Sequence, residues 1–254
     1  EIAQCLVGSE MCIRDSLWIA IYQKGVMMIP AQPNSFKYIG YKSINKNIIG
    51  SNCITSLCRD HEGILWIGTD NDGIYGITTE LKQRVHYAPH DSPFSVPSTV
   101  FGLYEDSERN LWFGSYTNGL GRLDKKTGQC SYLQNLTDKH GNRIQRVYDL
   151  VEDQDKRLWI ATMGAGLFYY DLKTGQSVYD PKFNAATEKY KWISCLLYAG
   201  DNHLYVGTYD GIRCIDLSTD DFKTEEILSR HIIHSLYEDP QGNIWIGSSD
   251  GLAE

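Results

Sequence analysis

Five segments of this chain share one spaced pattern, and no other feature limits its fold as strongly. An apolar residue is followed by Leu three positions on, Asp three beyond, and an aromatic ring six further. The copies are Ile54, Leu57, Asp60, Trp66; Val100, Leu103, Asp106, Trp112; Val147, Leu150, Asp153, Trp159; Ile193, Leu196, Ala199, Tyr205; and Ile233, Leu236, Asp239, Trp245. Trp18 carries the second half of the pattern alone. The six aromatic positions are 48, 46, 47, 46 and 40 residues apart. A glycine follows each one after six or seven residues: Gly25, Gly73, Gly119, Gly166, Gly211 and Gly251.

One copy resolves into four short strands. Residues 100–105 form an apolar strand A, 106–110 a turn, 111–116 strand B, and 117–119 a turn in which Gly119 permits a positive φ. Residues 120–124 form strand C, 125–128 a hairpin turn, and 129–133 strand D. Four antiparallel strands in about 45 residues describe a β-propeller blade. The aromatic ring is expected to wedge between neighbouring blades, where it removes a large apolar area from water. Complete blades start near 54, 100, 147 and 193, with a partial blade over 17–40 and another over 232–252. The sequence thus predicts an all-β fold: an incomplete arc of four full and two partial blades, spanning 17–252, from a seven-bladed ring of about 330 residues. Residues 1–16 fall outside the register, with Cys12 where Asp is expected, and resemble a translated sequencing-adaptor string. They are set aside as a non-native or unassigned segment.

Composition narrows the function classes. Twenty-four basic against 32 acidic residues give a net charge of −8, with no basic block, which disfavours nucleic acid. No apolar run approaches the roughly 18 residues of a membrane span, so no membrane contact by this segment is expected.

The phrases Tyr104-Glu-Asp-Ser-Glu-Arg-Asn-Leu-Trp-Phe-Gly-Ser115 and Tyr237-Glu-Asp-Pro-Gln-Gly-Asn-Ile-Trp-Ile-Gly-Ser248 resemble the two-component regulator propeller repeat. So does Asp60-His-Glu-Gly-Ile-Leu-Trp-Ile-Gly-Thr69, and His90-Asp-Ser-Pro-Phe-Ser-Val-Pro-Ser98 is similar to that family's connector between blades. The fifth copy departs from it at Ala199 and Tyr205. The resemblance implies the periplasmic sensor of a membrane-bound, often hybrid, histidine kinase of the kind found in gut Bacteroidetes. It implies an oligosaccharide or other small ligand as input and polysaccharide-utilisation genes as output. A homodimer formed through the full-length receptor is compatible with it. Neither a phospho-acceptor helix nor a Gly-rich ATP lid is found in the sequence, so no catalysis and no cofactor are expected of this segment.

In such a blade the B–C turns and D–A connections open on one face. The residue four after each aromatic ends strand B: Tyr22, Asp70, Tyr116, Met163, Tyr209 and Ser249. With their neighbours these give the candidate ligand-binding set Tyr22, Lys24, Asp70, Asn71, Asp72, Tyr116, Asn118, Tyr209 and Asp210. Tyrosine faces stack on sugar C–H groups while Asp and Asn bond hydroxyls. Turn chemistry alone accounts for any single Asp, Asn or Gly here; the face as a whole points to binding.

Other features carry less. A secreted propeller enzyme such as a lyase needs acids and bases converging from the A strands, where Asp149 and His234 make a thin set. A protein-interaction or dimerisation scaffold is a further alternative. The repeated Asp60, Asp106, Asp153 and Asp239 are expected to cap backbone N–H groups at the A–B turn rather than form a carboxylate site. His231 and His234 alternate across a strand, which argues against a metal. Cys53, Cys58, Cys130, Cys195 and Cys214 form no metal or redox spacing, and free buried thiols are the default.

Overall fold

Four A strands run into a tight turn held by an aspartate. Asp60 Oδ1 accepts the amides of Glu62 and Ile64 at 3.0 and 2.9 Å, while Oδ2 accepts the Trp66 indole N–H at 2.8 Å. The same carboxylate-to-indole bond joins Asp106 to Trp112 (2.7 Å), Asp153 to Trp159 (2.8 Å) and Asp239 to Trp245 (3.0 Å). In this computed structural model the capping expected of the aspartates is therefore present, and the indole bond is an addition to it. The turn also needs a left-handed residue three after the aspartate. Gly63 and Gly242 supply it freely, whereas Arg109 and Lys156 adopt φ of 72° and 69°. The fifth copy keeps the turn without carboxylate or indole: Asn202, at φ 65°, donates its amide to the Ala199 carbonyl and accepts the Tyr198 hydroxyl on its side chain.

The structure describes residues 11–13, 16–21, 25–30, 37–40, 49–78, 83–138, 140–179, 184, 191–218 and 222–253. Their strands form six antiparallel sheets in chain order. The first holds β1 (Met11–Ile13), β2 (Ser16–Ile21), β3 (Gly25–Pro30) and β4 (Lys37–Ile39). The second holds β5 (Ile54–Arg59), β6 (Leu65–Thr69), β7 (Ile74–Ile77) and β8 (Gln83–Tyr87). The third holds β9 (Val100–Glu105), β10 (Leu111–Ser115), β11 (Leu120–Leu123) and β12 (Cys130–Tyr132). The fourth holds β13 (Val147–Glu152), β14 (Arg157–Thr162), β15 (Leu167–Asp171) and β16 (Gln176–Tyr179). The fifth holds β17 (Ile193–Ala199), β18 (His203–Thr208), β19 (Gly211–Asp216) and β20 (Thr224–Ser229), and the sixth β21 (Ile233–Glu238), β22 (Ile244–Ser248) and β23 (Gly251–Ala253).

The fold is an all-β propeller architecture of four-stranded blades, with two corrections to the expected count. The described residues form five four-stranded blades and a three-stranded sixth, not four full and two partial blades, and not the seven-bladed ring. The extra inner strand is β1, where Cys12 pairs with Leu17 inside the segment set aside as unassigned. Ladder pairing is a backbone interaction and does not need the Asp–Trp signature that this segment lacks. The sixth sheet gains a third strand, β23, through pairing of Gly251 with Ser248.

The chain divides into two compact units, residues 1–117 with 121–131, and residues 118–120 with 132–254. In the first, Val26 and Ile39 of the first blade pack with Ile54, Leu57, Leu65, Ile67 and Ile77 of the second. In the second, Trp159, Ala161 and Leu167 of the fourth blade pack with Ile193, Leu196, Leu204 and Val206 of the fifth. Trp159 is fully buried in that layer, as the wedge reading requires. Inner strands are also stitched by polar side chains: Thr55 Oγ1 donates to the Val100 carbonyl, Asp149 accepts the Leu196 amide at 2.8 Å, and Ser194 Oγ donates to the Ile233 carbonyl.

A buried ion cluster ties the second blade to the third. Lys125 Nζ lies 3.2 Å from Asp60 Oδ2 and bonds Glu105 Oε1 directly, while Glu105 also takes the His61 amide at 2.8 Å. Burial alone raises both acids, but bonds from the Trp66 indole, the Ile64 amide and Lys125 hold Asp60 below its ordinary value. Lys125 and His61 do the same for Glu105. Burial lowers Lys125, and its two carboxylate partners outweigh that and raise it.

Two outcomes are expected. Asp106→Ala orphans the Trp112 indole and two turn amides, so urea unfolding should show a loss of roughly 3 kcal/mol; a loss under about 0.5 kcal/mol would mean the carboxylate does not hold the turn. The depressed acids contribute stability above their ordinary values of 3.8 and 4.5 and lose it as pH falls through the folded values. The raised Lys125 contributes below 10.5 and loses it as pH rises through its folded value. The melting temperature should therefore fall at both extremes, and Lys125→Met should shrink the alkaline fall, to which thiols raised by burial, such as Cys58, also contribute.

Candidate functional site

In four blades the B strand ends in a hydroxyl that closes the B–C turn: Thr69, Thr162, Thr208 and Ser248. Thr69 Oγ1 donates to the Gly73 carbonyl at 2.9 Å and accepts the Asp72 amide at 3.1 Å. Thr208 does the same with Gly211 and Asp210, and Ser248 with Gly251 and Asp250. The glycine is obligatory: Gly73 sits at φ 73°, where a Cβ would come within 2.2 Å of the Tyr87 carbonyl oxygen. At Gly211 (φ 124°) a Cβ would lie 1.9 Å from the Leu228 carbonyl oxygen. The turn backbone is thus fixed by residues of the repeat, and the residues free to vary lie between them.

In the first unit these turns border an open cleft of about 680 Å³, lined by Gly50, Ser51, Asn52, Cys53, Asp70, Asn71 and Asp72. Three of the candidate residues meet there. Both carboxylates are already engaged. Asp70 accepts the Thr99 hydroxyl at 2.7 Å, and its amide donates to the Cys53 carbonyl at 3.0 Å. Asp72 accepts the Tyr75 hydroxyl and lies 3.4 Å from His86 Nε2, whose ring stacks on Tyr75 with centroids 3.9 Å apart. Burial, then the bond to Asp72, pushes the Tyr75 phenol up, so it remains a hydroxyl donor. Asn71 stands exposed at φ 83°, its amide donating to the Ser98 carbonyl. Tyr116 belongs to the same unit and is 41% exposed, edge-on to Phe101 at 5.9 Å.

In the second unit Tyr209, 43% exposed, lies against Trp192, 41% exposed, with ring centroids 5.9 Å apart. The Tyr209 amide donates to the Trp192 carbonyl at 3.2 Å, and Trp192 bridges to Met163 of the preceding blade. Asp210 follows directly, its carbonyl accepting the Arg230 amide at 3.1 Å. Asn118 is exposed and takes the Arg143 guanidinium on its carbonyl at 3.1 Å. Tyr22 and Lys24 lie outside the described residues.

Trp192 was missed by reading the repeat. It is the only tryptophan off the repeat register, and that displacement was the available signal. The A-strand acid considered for catalysis is spent elsewhere: Asp149 accepts the Leu150 and Leu196 amides at 2.8 Å and is raised by burial to about 6. His231 pairs with Asp250 at 3.2 Å, and His234 is lowered by burial. The five cysteines from Cys53 onward are free, with burial raising the Cys58 thiol to about 12. Among the described residues no helix is long and apolar enough to cross a membrane.

The comparisons with known proteins follow this geometry. No curated protein matches the chain in sequence. The extracellular domain of BT4673 from B. thetaiotaomicron, described as part of a proposed one-component or hybrid two-component system, superposes with TM-scores of 0.77 and 0.76 in two structures. Identity is 17%, with 98% of this chain covered and 35% and 34% of the matched chains. PorZ, a surface component of the type-IX secretion system of Porphyromonas gingivalis, superposes with a TM-score of 0.66 at 12% identity, over 97% of this chain and 39% of its own. The designed Ika8 protein gives 0.59 at 14% identity, over 97% of this chain and 69% of its own. At these identities the likeness is one of fold. The chain spans about a third of the length of the BT4673 domain. The family model described as two component regulator propeller matches residues 48–71, 96–117, 143–164 and 227–250. Those are the four copies in which an aspartate bonds a tryptophan, and the copy with Ala199 and Tyr205 is not among them. The chain belongs to the two-component regulator propeller family.

Proposed function

We propose that this chain is part of the extracytoplasmic, periplasmic sensor region of a membrane-bound signalling histidine kinase. Its ligand is an oligosaccharide, and its output is transcription of polysaccharide-utilisation genes. The observation that carries the ligand class is the half-exposed ring pair of Trp192 and Tyr209, with Asp210 beside it, at the end of the fifth blade. Two large rings left open to water are costly unless something covers them, and a sugar ring does so with its C–H face while Asp210 takes a hydroxyl. Tyr116 and the Asn71 cleft offer the same chemistry on the first unit. Family membership supports the signalling role, and the fold likeness to an extracellular domain of B. thetaiotaomicron supports the location.

The enzyme alternative loses its support at Asp149, whose carboxylate is consumed by two backbone amides. The sensor acts by binding, and homodimerisation belongs to the full-length receptor.

An oligosaccharide array probed with the complete receptor ectodomain gives the direct test. Trp192→Ala and Tyr209→Ala should each weaken the best-bound glycan by about 1–3 kcal/mol, or roughly 5–150-fold. Unchanged affinity in both variants would remove this ring pair from the site.

A further inference from the structure

The opposite end of the blades in the first unit carries a second concave surface that the sensor reading does not use. It is a groove of about 990 Å³ between the outer strands of the second and third blades. Its apolar wall comes from Trp66, Tyr87 and Phe94, the last being 60% exposed. Trp66 and Tyr87 lie nearly parallel, 10° apart, with centroids separated by 6.4 Å. The groove is held open by fixed bonds: the Tyr87 hydroxyl donates to the Lys125 carbonyl at 2.6 Å, and the Cys130 amide donates to the Phe94 carbonyl at 2.7 Å.

Three exposed cations line the same groove: Arg109 from the A–B turn, Arg122 from β11 and Lys126 from the C–D hairpin. None makes an ion pair among the described residues, although the chain carries a net charge of −8. Arg122 lies over the Trp112 ring at 5.9 Å, a contact that leaves its N–H groups unspent. Lys125, by contrast, is fully used by Asp60 and Glu105 and adds no free charge. Two acids, Glu62 and Asp124, share the groove; Asp124 accepts the Lys126 and Thr127 amides at 2.8 and 3.1 Å and keeps its charge, so the three cations exceed the two acids by one.

We propose that this groove is a binding site for an anionic amphiphile, a small molecule with an apolar or aromatic body and a carboxylate head. The body would lie against Tyr87 and Phe94, and the head would bond Arg122 and Lys126. The site is separate from the ring pair of Trp192 and Tyr209, and neither proposal rests on the other.

The test uses 2-naphthoate as probe and uncharged 2-naphthamide as its control, titrated calorimetrically into the full chain. Naphthoate should bind saturably at one site, weaken with added salt, and bind about tenfold tighter than the amide. Arg122→Gln and Phe94→Ser should each weaken it by about tenfold, while Lys173→Gln, on the corresponding hairpin of the fourth blade, should leave it unchanged. All three side chains are exposed, and equal melting temperatures confirm folding. Equal binding of naphthoate and naphthamide, retention of affinity in both groove variants, or absence of saturable binding would each overturn the proposal.

Discussion

One carboxylate in each of four blades does two jobs, and the rest of the architecture depends on it. Its first oxygen gathers the amides of the A–B turn, and its second receives the indole N–H of the tryptophan on the next strand. An unpaired indole N–H in an apolar layer would cost about 1–3 kcal/mol, a large share of what burying the ring contributes. With the bond made, Trp66, Trp112 and Trp159 are each at most 3% exposed. A local turn and a long-range packing contact therefore stand or fall together, which explains why Asp and aromatic recur as a pair at a fixed spacing of six. The fifth copy loses both at once, with Ala199 and Tyr205, and survives on a left-handed Asn202.

The opposite ends of the blades follow a different rule. There a Thr or Ser hydroxyl and a glycine fix the turn, so the intervening positions carry no structural duty common to all blades. Asn71 is a protruding amide, and Tyr116 and Tyr209 are half-exposed rings. A scaffold that is rigid by repetition and variable at one face can change that face without changing its fold.

Legibility in the sequence followed the same division. The Asp–Trp spacing identified blades, strand order and turn capping, because those depend on interactions within a few residues or on a repeated packing contact. The inner strand β1 was not legible, since three residues of backbone pairing leave no side-chain signature. Of the candidate site, Asp70, Asn71 and Asp72 do share a cleft, but their carboxylates are bound by Thr99 and Tyr75, residues that the topology alone brings near. Trp192 escaped notice because it lies just before an A strand, outside the repeat. Asp149 made only a thin catalytic set with His234, and its actual partner, the amide of Leu196 on the adjoining blade, left no sign in the sequence. Bonds between neighbouring blades connect residues about one repeat apart, and no local pattern announces them.

The central claim is that the aspartate-to-indole bond closes every blade that has the pair. Hydrogen exchange at the individual tryptophan side chains, followed by two-dimensional nitrogen–proton NMR, addresses it most directly. The Nε1–H protons of Trp66, Trp112 and Trp159 should exchange far more slowly than that of half-exposed Trp192, which has no such carboxylate partner. Comparable exchange at all four would contradict the account, and the tryptophans would then be held by packing alone.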